Sequence, residues 1–398
     1  LADLLSDGKT TPFYEVIVKE EELAPAVLMS NQSQELAGRF NLQIRAYPQI
    51  DLDDVYRAVE GAFERFEERG VLPEELERVK AGYETGFYGG LSSVLGKAFQ
   101  LAQYNIFAGD PGYLSEDLDR ILAVTADDVL RVYRQYLQDR PFVAASFVPR
   151  EGIPLALEGS VRADVVEEPI VQGAESELTA VRRGEERTPS AIDRSVEPPY
   201  GDPPSLRVPA VWQDDLENGV GVYGIEDREV PLVQFVLRIR GGHLAQDADV
   251  IGVANLLAET MTAGTADRTP EELESAIDLL GANINVSSGR EAFTISGSTL
   301  ARNYARTMEL VREILLEPRF DAEEFALAKQ RVSNTIRQRS ASPVALAGDV
   351  FARLLYGDHV LSENPLGTLE TVDRIDLDDL RAYHAEKLTP ALADFHVA

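Results

Sequence analysis

The sequence predicts an α+β protein built as two related domains of antiparallel sheet packed with several helices, joined by an irregular linker. Three observations predict it. Short runs of alternating apolar residues are mixed with longer stretches of helical period, as in layered sheet-and-helix domains. A Pro-, Glu-, Gly- and Ser-rich tract interrupts this pattern in the middle of the chain. Landmarks on either side of the tract repeat in the same order at a nearly constant offset.

Residues 1–150 read as the first domain. Phe40, Leu42, Ile44 and Ala46 alternate with Asn41, Gln43, Arg45 and Tyr47 before Pro48, the pattern of a half-buried strand. After Asp51, Asp53 and Asp54, the residues Val55, Val59, Phe63 and Phe66 recur at helical spacing and predict a helix over 51–69. Helical patterns follow around 73–88, 92–108 and 125–138, and the apolar run Phe142 to Val148 predicts a closing strand.

Residues 151–204 carry too little apolar surface to fold alone and read as the linker. Residues 205–398 form the second domain. Asn218-Gly219, the alternating Val220 and Val222, a polar turn at Glu226 to Glu229, and the alternating Val233, Phe235, Leu237 and Ile239 predict a hairpin. Helices follow at about 249–263 and from Thr269-Pro270-Glu271-Glu272. Strands at 282–288 and 292–299 flank Gly289-Arg290-Glu291. Further helices are predicted at 301–316, 322–339, 343–356 and 376–388.

The repeat joins the two domains. Tyr56, Leu72-Pro73-Glu74-Glu75-Leu76 and Lys80 match Tyr304, Asp321-Ala322-Glu323-Glu324-Phe325 and Lys329 at an offset of 248 to 249. Thr125-Ala126-Asp127-Asp128-Val129 matches Asp376-Leu377-Asp378-Asp379-Leu380 at 251. Three matches in one order point to a duplicated domain.

Composition excludes several functions. Lys and Arg number 38 against 68 Asp and Glu, a net charge of −30, and no basic stripe exists to neutralise phosphates, so nucleic acid is not a partner. Of the 38 basic residues only 6 are Lys, leaving 32 Arg. That balance fits a protein kept soluble in strong salt, and equally an acidic proteome from a GC-rich genome. With no Cys there is no thiolate site or disulfide, and no apolar run is long enough to predict a membrane span. The opening Leu1-Ala2-Asp3-Leu4-Leu5 and the end at Phe395-His396-Val397-Ala398 read as the edges of a piece of a longer protein.

Arg240-Gly241-Gly242-His243, Gly252 to Met261 and Gly264-Thr265 resemble the active-site segment of the pitrilysin/insulinase family of zinc metallopeptidases, the inverzincins. The likeness continues through Leu280-Gly281-Ala282-Asn283-Ile284-Asn285, Pro318-Arg319-Phe320-Asp321, Tyr356-Gly357-Asp358-His359 and Leu366-Gly367-Thr368, and covers about 205–398. The first domain resembles the family's second domain through Leu4 to Thr11, Tyr14 and Glu20 to Ala24. Active members carry H-x-x-E-H, with two His on one helical face as zinc ligands and a Glu as general base. Here the motif falls on Asn255, Leu256, Leu257, Ala258 and Glu259, and the family's third ligand falls on Asn334 or Thr335. The resemblance therefore implies a degenerate motif, with no catalytic residue and no metal held by this chain. His243, His359, His384 and His396 lack metal-ligand spacing and read as structural or solvated. Val18 and Pro25 stand where family members place a carbonyl-polarising Arg and Tyr.

By resemblance the chain is domains two and three of a long single-chain member, cut at both ends. The implied function is that of a non-catalytic segment of a zinc endopeptidase that hydrolyses peptides in an enclosed chamber. This segment would support the catalytic domain and form chamber wall. The implied cofactor is zinc in the parent protein's catalytic domain. The implied partners are peptide substrate and the catalytic and fourth domains, or a paired subunit. The implied location is a bacterial periplasm or envelope. The other reading is a wholly inactive member acting as a scaffold or assembly subunit. The strand at Ile284, Asn285, Val286 and Ser287 matches the edge strand that pairs with substrate in catalytic copies, and reads either as a peptide-binding strand or as ordinary sheet.

Overall fold

The structure, a computed structural model, describes residues 1–34, 36–161, 193, 196, 197, 201 and 209–398. Most of the tract read as linker lies outside these residues.

The first domain runs α1 (Ala2–Ser6), a π-helical segment (Tyr14–Glu20), β1 (Val27–Ser33), β2 (Gly38–Ile44), α2 (Leu52–Arg69), α3 (Pro73–Leu91), α4 (Val94–Phe107), α5 (Leu114–Leu122) and α6 (Ala126–Tyr136). Helix α2 forms where the period demanded. The Asp51 carboxylate accepts from the Asp53 backbone N–H at 3.0 Å, Val55, Ala58, Ala62 and Phe66 bury one stripe, and Gly70 ends the helix at φ 72°. That stripe meets Leu4, Leu5, Phe13 and Ile17 from the N-terminal segments and Tyr133 from α6, whose ring stands edge-on to Phe66 at 5.1 Å.

The second domain runs β3 (Val211–Asp215), β4 (Gly221–Ile225), β5 (Leu232–Arg240), α7 (Val253–Met261), α8 (Pro270–Leu279), β6 (Asn283–Ser288), β7 (Ala292–Leu300), α9 (Tyr304–Leu316), α10 (Ala322–Ser340), α11 (Pro343–Tyr356), α12 (Leu369–Arg374), α13 (Leu377–Lys387) and β8 (Ala393–Val397). Its six strands are ordered β3-β4-β8-β5-β7-β6, antiparallel throughout except for the parallel pair β4 and β8. Phe235, Ile239, Phe293 and Ile295 bury the helix-facing side of this sheet against Leu256, Leu257 and Met261 of α7, with Leu310, Ile314, Ala328 and Leu380 behind them.

Helix lengths recur between the two halves of the chain. Helices α3 and α10 each have 19 residues, α4 and α11 each 14, and α6 and α13 each 11. Both α6 and α13 open on capping boxes, Thr125 with Asp128 and Asp376 with Asp379.

Two sequence expectations fail. Strands β4 and β5 are not a hairpin: β8 lies between them, and Asn218-Gly219 instead turns β4 back onto β3, a strand the sequence reading missed. Residues Phe142 to Val148 are not a strand. Their counterpart β8 is hydrogen-bonded on both sides, by β4 and β5, whereas the described part of the first domain has only β1 and β2, paired with each other. With no ladder available, Val143 and Phe147 stand 96% and 95% exposed.

Candidate functional site

Helix α7 carries the degenerate motif, and its position is set from its N-terminus. Gly252 caps the helix at φ 111°, and a Cβ there would lie 2.8 Å from the Leu366 carbonyl oxygen. The first free backbone donors find an acceptor in a side chain: Gln246 Oε1 accepts from Gly252 N at 2.8 Å and from Ala254 N at 3.1 Å. The Gln246 amide then donates to His243 Nδ1 at 2.8 Å, and His243 Nε2 lies 2.8 Å from the Val360 carbonyl oxygen. A carbonyl only accepts, so Nε2 carries the proton and Nδ1 is the acceptor, which fixes the neutral tautomer. Both side chains are buried, His243 at 1% exposure. Beside them Tyr383 Oη donates to the Gly242 carbonyl at 2.8 Å, and burial pushes its pKa up to about 12.

The motif positions divide by face. Leu256, Leu257 and Ala258 are buried, while Asn255 and Glu259 lie half-buried on the opposite stripe. Asn255 Nδ2 donates to Glu259 Oε1 at 3.2 Å, and the other carboxylate oxygen lies 3.4 Å from Arg331 Nε. Asn334 and Thr335 do not join them. Both are exposed on α10, where Asn334 Oδ1 accepts from Arg337 at 2.9 Å and Thr335 Oγ1 donates to the Arg331 carbonyl at 3.0 Å. Among the described residues no group of three or more His, Asp or Glu side chains could hold a metal. An amide and one carboxylate already paired with a guanidinium do not fit zinc, which asks for several imidazole, thiolate or carboxylate ligands in tetrahedral array.

Strand β6 is the outer strand of the sheet, paired on one side to β7 with Asn285 opposite Ser296. Ile284 and Val286 turn inward onto the core and Asn283, Asn285 and Ser287 are exposed. Helix α7 packs over this strand, so the fold brings the sequence-predicted strand and the motif helix together. Val18 packs on the first core and Pro25 is exposed.

A family model described as insulinase (peptidase family M16) matches residues 222–365. Over those residues the chain is similar to the insulinase family. An uncharacterized zinc protease of Mycobacterium leprae is 27% identical over 149 residues, 37% of this chain and 34% of that protein. A non-peptidase homologue of Helicobacter pylori is 24% identical over 161 residues, 40% of this chain and 37% of that protein. The chain thus spans little more than a third of the length of these relatives. The crystal structure of an M16 inactive domain from Pseudomonas fluorescens covers 47% of this chain and 46% of its own, with a TM-score of 0.45 and 23% identity.

The sequence reading missed Gln246 and Arg331. Gln246 lies six residues before the cap, outside the window in which a capping side chain is sought. Arg331 lies 72 residues beyond Glu259, and only the packing of α10 on α7 brings the two together.

Proposed function

We propose that this chain is a non-catalytic part of an insulinase-type zinc endopeptidase, comprising the second and third domains of a longer protein. It supports the catalytic domain and walls the chamber in which peptide is cleaved. The observation that carries the reading is the closed motif: Glu259, the one anionic group left on α7, is held by Asn255 and Arg331, so no water-activating metal is provided for. Zinc and hydrolysis belong in this reading to a catalytic domain elsewhere in the parent protein. Among the described residues β6 has no partner on its outer side, and its role is to hold an extended peptide by adding it as a further strand. The acidic surface favours basic peptides.

The register that bonds Gly289 N–H to the Ala292 carbonyl turns the Asn285 N–H onto β7 and the Val286 N–H to the outer edge, so Val286→Pro removes a donor that an added strand would use. A folded Val286→Pro chain should bind a labelled basic peptide at least about tenfold more weakly by fluorescence anisotropy; unchanged affinity would remove β6 from the proposal. A second reading, a scaffold subunit without any protease function, is favoured by the relative named a non-peptidase homologue. Elemental analysis of the intact parent protein separates the two, with bound zinc for the peptidase and none for the scaffold.

A further inference from the structure

The two domains do not share a core. One apolar cluster draws its buried residues from Leu4 to Tyr133 and the other from Val220 to Ala393. Between them runs a seam of charge, where α3 lies along α8. Lys9 reaches Glu274 at 3.7 Å, Lys19 reaches Glu271 at 3.5 Å, Arg78 reaches Asp278 at 3.5 Å, and Lys97 pairs with Glu229. In each pair the cation comes from the first domain and the anion from the second. One pair is reversed: Arg302 grips the Glu84 carboxylate with both terminal nitrogens, Nη1 at 2.7 Å. Three of the six lysines of this lysine-poor chain, Lys9, Lys19 and Lys97, are spent on the seam. Where the backbones touch, Thr85 Oγ1 donates to the Gly281 carbonyl at 2.7 Å.

We propose that the two domains dock by charge, and that rising salt undocks them while each stays folded. The lysine pairs are partly solvent-exposed, and shrinking the Debye length from about 10 Å at 0.1 M to about 3 Å at 1 M salt removes most of their attraction. The Glu84 side chain is 9% exposed and held by both Arg302 terminal nitrogens, and the Arg78 side chain facing Asp278 is 8% exposed, so these two pairs are screened last and set the salt at which the seam opens. Separation costs little elsewhere, because water reaches Glu84 once Arg302 leaves and neither apolar core is cut. Since both domains sit on one chain, redocking is intramolecular and reversible.

The test is small-angle X-ray scattering on the full chain from about 0.05 M to about 1 M NaCl, with far-UV circular dichroism in parallel. The radius of gyration should rise with salt while the dichroism stays constant. Glu84→Arg should lower the salt at half-expansion at least about twofold, and Glu84→Arg with Arg302→Glu should restore it. A radius that stays constant to about 1 M salt, loss of dichroism along with the expansion, or a double variant as open as the single one would each overturn the proposal.

Discussion

Gln246 offers the sharpest test of how α7 is held. Gln246→Met keeps the length of the side chain and removes its polar atoms, leaving three buried groups without partners: Gly252 N–H, Ala254 N–H and His243 Nδ1. Each orphaned group costs about 1–3 kcal/mol, and since the three form one network their joint loss falls short of the simple sum, at roughly 3–6 kcal/mol. That is a large share of a domain stability of about 5–15 kcal/mol. At about 2–4 °C per kcal/mol for a domain of this size, the melting temperature should fall by roughly 6–24 °C. The chain's single Trp, Trp212, lies on β3, so its fluorescence in a guanidinium titration reports the second domain. A loss below about 1 kcal/mol would show that the network does not anchor the helix.

Two further predictions follow from the same region. Burial raises the Tyr383 pKa from 10.0 to about 12, so the folded domain keeps a proton that the unfolded chain releases; this stability is complete below pH 10, is lost as pH climbs towards 12, and amounts to about 3 kcal/mol. Denaturant midpoints across that range should fall more steeply for the native chain than for Tyr383→Phe, and parallel curves would refute it. The Arg331 guanidinium should repel a cation at α7: with Asn255→His and Glu259→His installed, adding Arg331→Gln should tighten zinc binding at least about tenfold in a competitive chelator titration, and equal affinities would count against it.

The sequence held most of the helical layer because amphipathic period and caps are local properties. Asp51, Thr125, Thr269 and Asp376 mark helix starts within about a residue, and the offset between α3 and α10 is that of the sequence landmarks. Strand partners are not local. The alternation in Val233 to Ile239 identifies a strand but says nothing of β8 entering beside it from the far end of the domain. Phe142 to Val148 has the composition of a strand and, among the described residues, no strand beside it to make it one. The short helical segments before β1 were invisible for a different reason: α1 spans five residues, too few to show a period. At the motif, a missing ligand and the missing general base could be read from Asn255 and Ala258 alone, whereas the guanidinium of Arg331 beside Glu259 needed the contact between α7 and α10.

The survival of α7 without its chemistry follows from the geometry of one helix with two faces. Seven of its nine residues are buried, and these position the helix over β6 whatever the other stripe carries. The two motif positions that would carry the helix's zinc ligands are Asn255 and Glu259, which lie on the half-buried stripe, where a polar side chain of another type costs the core nothing. Charge still has to balance there: a carboxylate beside a helix with no metal is better placed with a cation near it, and Arg331 supplies one at 3.4 Å. Ala258 belongs to the other face, at 3% exposure, where an unpaired Glu would bring a buried negative charge. Once the ligands are gone, the position of the general base therefore favours a small apolar residue, which is what the chain has. The absence of metal ligands and the absence of the base are in this sense a single physical condition, and the packing of the helix does not call on zinc.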